Sequence, residues 1–245
     1  MDAINSNIII NNSELSKGVS SEYAKIYNEN TSTILHRMLP ASDPTTDKID
    51  KLFVGDAEQH QGFHCITFLG YSGLGYKDLE KLKEALKSEL DSCLAAHADK
   101  QIVLVCGGTS AGIGVVYDVV NEYASLKEKI KLIGIVSEVA PENDLAKNDV
   151  SIIRVPDPDN TWETKKVDGN NIHYYMLYPV LKYDGEVQVW GGGKIAYDEA
   201  EAAIKLGIKT TFFRFEPDSS ALQKKLDAGK TYQELCPVIY HEFMR

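Results

Sequence analysis

The stretch Gln101-Ile-Val-Leu-Val-Cys-Gly-Gly-Thr-Ser-Ala-Gly-Ile-Gly114 decides the fold. Its first half is a short apolar run rich in β-branched residues, the signature of a buried strand. Its second half, Gly107 to Gly114, is a glycine-rich octapeptide that precedes an amphipathic segment over Ala111 to Leu126, which reads as a helix. Strand, glycine loop and helix form a phosphate-binding layout: glycines let the backbone approach a ligand, and a helix N-terminus offers free N–H donors at a positive dipole end. Taken alone, the octapeptide is equally compatible with a tight turn, because short glycine motifs recur by chance.

Similar units lie on both sides. Phe63 to Gly70 reads as a buried strand, Tyr71-Ser-Gly-Leu-Gly75 as a turn, and Tyr76 to about His97 as a helix with Leu79, Leu82, Leu86, Leu90 and Leu94 at helical spacing. Lys131 to Val136 is a third strand, continuously apolar as a parallel strand covered on both faces should be. Further on come the strand Glu186 to Trp190, the glycine turn Gly191 to Gly193, a helix from about Ala196 to Leu206 and the strand Ile208 to Phe215. Asp218 and Ser219 suit a helix start, and Thr231 to Met244 reads as a last helix. Strands alternating with helices imply an α/β fold: a Rossmann-like, doubly wound, mostly parallel sheet with helices on both faces. Residues 1–60 form a polar N-terminal extension with one possible helix over Ser21 to Met38, and residues 61–245 form the main domain. Within that domain, 141–184 is irregular, with the turn cluster Pro156 to Asn160, and has the character of a ligand-covering insertion.

Composition narrows the function. With 43% hydrophobic and 25% charged residues the chain is an ordinary folded protein, and a net charge of −10 argues against a nucleic-acid partner, which needs a basic patch. Cys65, Cys93, Cys106 and Cys236 are far apart without a C-x-x-C pair, so they read as reduced core thiols of a cytoplasmic protein. The six histidines form no H-x-x-x-H or H-x-H pair, and no metal or cofactor is expected. Neither a signal peptide nor a membrane-length apolar run is apparent, so no membrane partner is expected.

In a doubly wound sheet, ligands bind outside the carboxyl ends of the strands, where strand order reverses. The loops at Gly70, Gly107 and Gly191 all follow strands and should emerge on that edge together. Gly70, Ser72, Gly73, Gly107, Gly108, Thr109, Ser110 and Gly112 are the expected phosphate-binding residues, and Gly192, Gly193 and Lys194 are expected to close the site.

The order of these loops resembles the Lonely-Guy family and the wider superfamily of Rossmann-like nucleotide-binding proteins once called lysine-decarboxylase-like. Gly70-Tyr-Ser-Gly73 is similar to that family's G-x-S turn, Gly107 to Gly114 to its G-G-G-x-x-G-x-M-G loop, and Gly191-Gly-Gly-Lys-Ile-Ala-Tyr-Asp-Glu199 to its P-G-G-x-G-T-x-x-E segment. The resemblance covers roughly residues 63–215. It implies a small nucleotide ligand, a homodimer or higher homo-oligomer, and hydrolysis of the N-glycosidic bond of a nucleoside 5′-monophosphate. The catalytic carboxylate would then be Glu199, stabilising positive charge at the anomeric carbon or orienting water. Gly191 stands for the motif proline, Ile195-Ala196 for the G-T pair, and no arginine stands at the usual place upstream, with Arg154 and His173 as possible substitutes.

Two alternatives remain at this level. One is a nucleotide-sensing module without turnover. The other is a short-chain-dehydrogenase-like oxidoreductase using NAD(P), in which Tyr178-Pro-Val-Leu-Lys182 supplies a Y-x-x-x-K pair and Glu138 grips a ribose hydroxyl. Against it, Pro179 and the following Tyr183-Asp-Gly185 favour a turn over a helix interior.

Overall fold

The computed structural model describes residues 8–10, 43–54, 62–147, 149–169 and 171–240. The helix expected at 21–38 lies outside the described residues. In chain order the elements are β1 (Ile8–Ile10), α1 (Pro44–Lys51), β2 (Phe63–Gly70), α2 (Leu79–Ala96), β3 (Gln101–Gly107), α3 (Val115–Glu122), α4 (Ala124–Lys127), β4 (Ile130–Ser137), β5 (Ser151–Val155), β6 (Lys165–Asp168), β7 (Asn171–Tyr174), α5 (Tyr178–Tyr183), β8 (Gly185–Trp190), α6 (Lys194–Lys205), β9 (Lys209–Phe213), α7 (Ser219–Asp227), α8 (Tyr232–Leu235) and α9 (Pro237–Tyr240). The main sheet runs β1-β9-β8-β2-β3-β4-β5. Every neighbouring pair from β9 to β5 is parallel, and β1 adds to β9 antiparallel. The chain therefore has the Rossmann-like α/β architecture read from its alternating units.

Two cores sandwich the sheet. On one face Leu82, Leu86 and Leu90 of α2, spaced four residues apart and fully buried, pack with Val116, Val119 and Val120 of α3 against Ile66, Phe68, Ile102 and Leu104. On the other, Ala196, Ala200 and Ala203 of α6 and Val180 of α5 meet Leu69, Val103, Val105, Val187 and Val189. Alternate residues of each strand supply the two faces, as a pleated strand requires. The helix following β2 covers one face and the helix following β8 the other, so the chain changes direction between these adjacent strands. That places the topological switch point at the carboxyl ends of β2 and β8.

Several element boundaries differ from expectation. Helix α2 starts at Leu79 because the Asp78 carboxylate caps it, accepting from the Lys81 N–H at 3.0 Å. The helix expected over Ala111 to Leu126 is a 3-10 turn at Gly112–Gly114 followed by α3 and α4, divided where Tyr123 turns extended. The last helix is split into α8 and α9 at Cys236, since a residue before proline disfavours the helical conformation, and 241–245 lie outside the described residues. The region 141–184 is more ordered than its sequence implies: it holds the parallel strand β5, the hairpin β6–β7 and α5. The described parts of 1–60 pack on the main domain, with Ile49 and Phe53 buried in the second core. All four cysteines are buried free thiols, and among the described residues no helix is long and apolar enough to cross a membrane.

Candidate functional site

The three glycine loops meet on one edge because backbone and tyrosine hydrogen bonds tie them together. The Tyr76 hydroxyl accepts from the Tyr71 N–H at 3.1 Å and donates to the Trp190 carbonyl at 2.8 Å, joining the loop after β2 to the end of β8. The Ile113 N–H donates to the Tyr71 carbonyl at 2.7 Å, joining the octapeptide to the same loop. On its other side the octapeptide pairs with the segment after β4, through Ser110 N–H to the Asp144 carbonyl at 2.9 Å and Ala146 N–H to the Gly108 carbonyl at 2.9 Å. The N–H groups of Gly108, Ser110, Ile113 and Gly114 are therefore already engaged by carbonyls of the protein. This loop is a braced wall more than a cradle of free donors.

Between the loops lies a cavity of about 580 Å³. That is within the range of roughly 300–1,000 Å³ that small-molecule sites occupy. Of the residues expected from sequence, Gly70, Ser72, Gly73, Gly107, Gly108, Thr109, Ser110 and Glu199 line it. Gly112, Gly192, Gly193 and Lys194 do not. Gly112 turns the loop with a φ of +60°, and Gly192 packs under the C-terminal segment, where a Cβ would stand 2.6 Å from that of Ala196 and 3.3 Å from Val238 Cγ2. Lys194 is the first residue of α6, but its exposed side chain turns away to Asp198 at 2.6 Å, one helical turn on. Ile195, Ala196 and Glu199 are the α6 residues that reach the cavity. The first-turn N–H groups of α6 lack intrahelical partners, and no side chain caps them. No lysine or arginine lines the cavity among the described residues.

Glu199 is the chemically unusual wall residue. Its side chain is buried at 3% exposure, and its Oε1 accepts from the Thr164 hydroxyl at 3.2 Å. Burial pushes its carboxyl up to about 8, reinforced by the negative charges of Asp198 and Glu163 and only partly opposed by the Thr164 hydrogen bond. At neutral pH it is mainly the neutral acid, a proton donor more than a standing negative charge.

Sequence reasoning missed Trp162 and Thr164. Asp157, itself buried, gathers the loop that carries them: its carboxylate accepts from Ser137 Oγ at 2.7 Å, Thr161 N–H at 3.0 Å and Trp162 N–H at 2.8 Å. Those bonds outweigh burial and hold the carboxyl below its usual range. Trp162 is thereby fixed with a φ of +65° and its half-exposed side chain at the cavity. Only the turn cluster at 156–160 signalled a structured loop here.

The dehydrogenase pair has another occupation. Tyr178 and Lys182 do lie on one helix, because Pro179 falls in the first turn of α5 where no N–H is needed. Their side chains meet at 3.0 Å, yet both bind the Asp50 carboxylate, as does the Tyr183 hydroxyl at 2.7 Å, and neither lines the cavity. Asp50→Ala would leave these groups without their acceptor and is expected to cost about 1–3 kcal/mol, read as a lowered melting temperature. Arg154 binds the Glu138 and Ala140 carbonyls and the Glu142 carboxylate, the Glu138 carboxylate accepts from the Asp157 N–H, and His173 sits on the hairpin away from the cavity. None of these substitutes for a catalytic arginine.

Among the described residues, one set has metal-ligand proximity, His64, Cys93 and His97, and it lies at the opposite end of β2. Fold and cavity define the class, a Rossmann-like α/β protein with a small-molecule-sized cavity at its switch point. No protein-family model and no curated protein matches the chain.

Proposed function

We propose that this cavity binds a nucleotide or nucleotide-derived phosphorylated ligand and that its chemistry is cleavage of an N-glycosidic bond. The observation that carries the reading is the buried, largely neutral Glu199 carboxyl on a cavity of nucleotide-compatible size at the switch point. Breaking an N-glycosidic bond requires the departing base to take up a proton as positive charge develops at C1′, and a buried carboxyl titrating near neutrality is suited to give it. The Ser72, Thr109 and Ser110 side chains and the first turn of α6 would hold the phosphate, and the Trp162 ring offers a stacking face for the base.

The test is incubation with a panel of nucleoside monophosphates and dinucleotides, with chromatography for released base. Release that disappears in Glu199→Gln is expected. Trp162→Ala is expected to weaken ligand binding by about 10- to 100-fold, the equivalent of one stacked base at roughly 1–3 kcal/mol, measured by calorimetry. Unchanged affinity would remove Trp162 from the site.

A second reading, a sensor that binds without turnover, is favoured by the lack of lysine or arginine on the cavity wall among the described residues. A phosphate held only by amides and hydroxyls lacks the cationic clamp that usually stabilises developing charge. Saturable binding without base release in the same panel would establish it.

A further inference from the structure

At the amino end of β2, far from the cavity, the sheet buries a histidine without a hydrogen-bond partner among the described residues. His64 is 5% exposed, and neither of its ring nitrogens is paired by any described group. An unpaired buried polar group is destabilising, so its presence here calls for a physical reason. The last turn of α2 lies directly over it. Cys93 and His97 are four residues apart, hence on one helical face, with the His97 N–H donating to the Cys93 carbonyl at 3.0 Å as the helix ends. The His97 ring stacks on His64 with centroids 3.6 Å apart.

One ligand atom from each of the three residues lies within 4.8 Å of the other two. Tetrahedral zinc, with bonds of about 2.0–2.1 Å to nitrogen and 2.3 Å to sulfur, places its ligand atoms roughly 3.3–3.7 Å apart. Closure therefore requires side-chain rotation of about an ångström, including rotation of one ring out of the stack so that the lone pairs converge. His97, half-buried at a helix end, has that freedom.

We propose that His64, Cys93 and His97 form a binding site for a zinc-class divalent cation. Two imidazoles and one thiolate are the ligand set that borderline transition ions prefer, whereas magnesium and calcium take oxygen donors. The histidines bind as neutral rings, and the Cys93 S–H bond breaks heterolytically, its proton passing to solvent as the sulfur–metal bond forms. A fourth position is left for water, since the nearby Glu186 carboxylate is held by Lys209 and Gln188. The site clamps the end of α2 to the sheet. It stands about 20 Å along β2 from Gly70, at roughly 3.3 Å per residue, so its role is structural and independent of the cavity.

The experiment is a cobalt(II) titration of the full-length chain in metal-free buffer with a non-thiol reductant. One equivalent should bind, producing a thiolate-to-cobalt charge-transfer band in the near ultraviolet and visible bands of four-coordinate cobalt, and added zinc should displace it. Cys93→Ser should abolish the near-ultraviolet band, while Cys236→Ser, which removes a thiol buried elsewhere, should keep it. His97→Gln, at a partly exposed helix end that tolerates change, should weaken cobalt binding at least tenfold. Zinc should raise the melting temperature of the unsubstituted chain but not that of His97→Gln. Absence of saturable cobalt binding, or spectra that survive both Cys93→Ser and His97→Gln, would overturn the proposal and leave a stacked histidine pair.

Discussion

Glu199→Gln is expected to make the protein more stable at pH 9 while slowing the proposed N-glycosidic cleavage. Glu199 is buried and its carboxyl is raised from 4.5 to about 8. Below pH 4.5 the group is protonated in both folded and unfolded chains, so it makes no difference to stability. Between 4.5 and about 8 the folded chain holds a proton that the unfolded chain has released, so stability falls as pH rises through this window and levels off above it. At about 1.4 kcal/mol per unit, the loss is on the order of 3–5 kcal/mol. Glutamine keeps the size and the hydrogen bond to Thr164 without the titration. The variant should melt close to the parent at pH 5 and roughly 6–20 °C above it at pH 9, taking about 2–4 °C per kcal/mol for a chain of this length. A melting difference that does not change between pH 5 and 9 would refute the assigned environment of Glu199.

The same ionisation governs the proposed chemistry. If Glu199 gives its proton to the leaving base, the rate should be level below pH 8 and fall tenfold per unit above it, and the glutamine variant should lose about 100-fold or more. A rate that rises through pH 8 would instead make the ionised carboxylate the working form. Gain of stability with loss of activity is the pattern expected where a functional group is buried against its preference.

What the sequence made legible followed from local rules, and what it hid depended on distant partners. Runs such as Gln101 to Cys106 and Lys131 to Val136 are continuously apolar because both faces are covered, so β3 and β4 could be read directly. The strand β5 escaped because it pairs on one side only and Ser151 and Arg154 interrupt its apolar pattern. Lys194 looked like a phosphate ligand from its place in the glycine motif, yet helix phase decides otherwise. Residues 196 and 199 share the cavity face, while 194 lies over 198 on another. Trp162 was invisible for a different reason: its place at the cavity is set by hydrogen bonds to Asp157 and a left-handed backbone, neither of which leaves a pattern in the chain. The position of Glu199 was legible and its protonation was not, because burial is a property of the assembled fold.

Gly112→Ala is expected to damage the fold severely, although Gly112 touches no ligand space. Its φ of +60° is a conformation that costs an L-residue about 1–2 kcal/mol. An added Cβ would also fall 2.0 Å from the Tyr71 carbonyl oxygen and 2.6 Å from that of Ser72. Both obstacles are backbone and cannot swing aside. The Tyr71 carbonyl is the one that accepts from Ile113, so relieving the clash breaks the bond that joins two walls of the cavity. Strain, overlap and the lost bond together should cost roughly 3–5 kcal/mol, lowering the melting temperature by about 6–20 °C. Gly73→Ala is the matched control: it lines the cavity, its Cβ would meet nothing within 4 Å, and its stability should change by no more than about 0.5 kcal/mol. If the two variants melt alike, the octapeptide is not a brace, and its glycines are there to let a ligand approach. If Gly112→Ala alone collapses while Gly73→Ala alone weakens ligand binding, the two glycines have separate roles, one closing the wall and the other facing what binds against it.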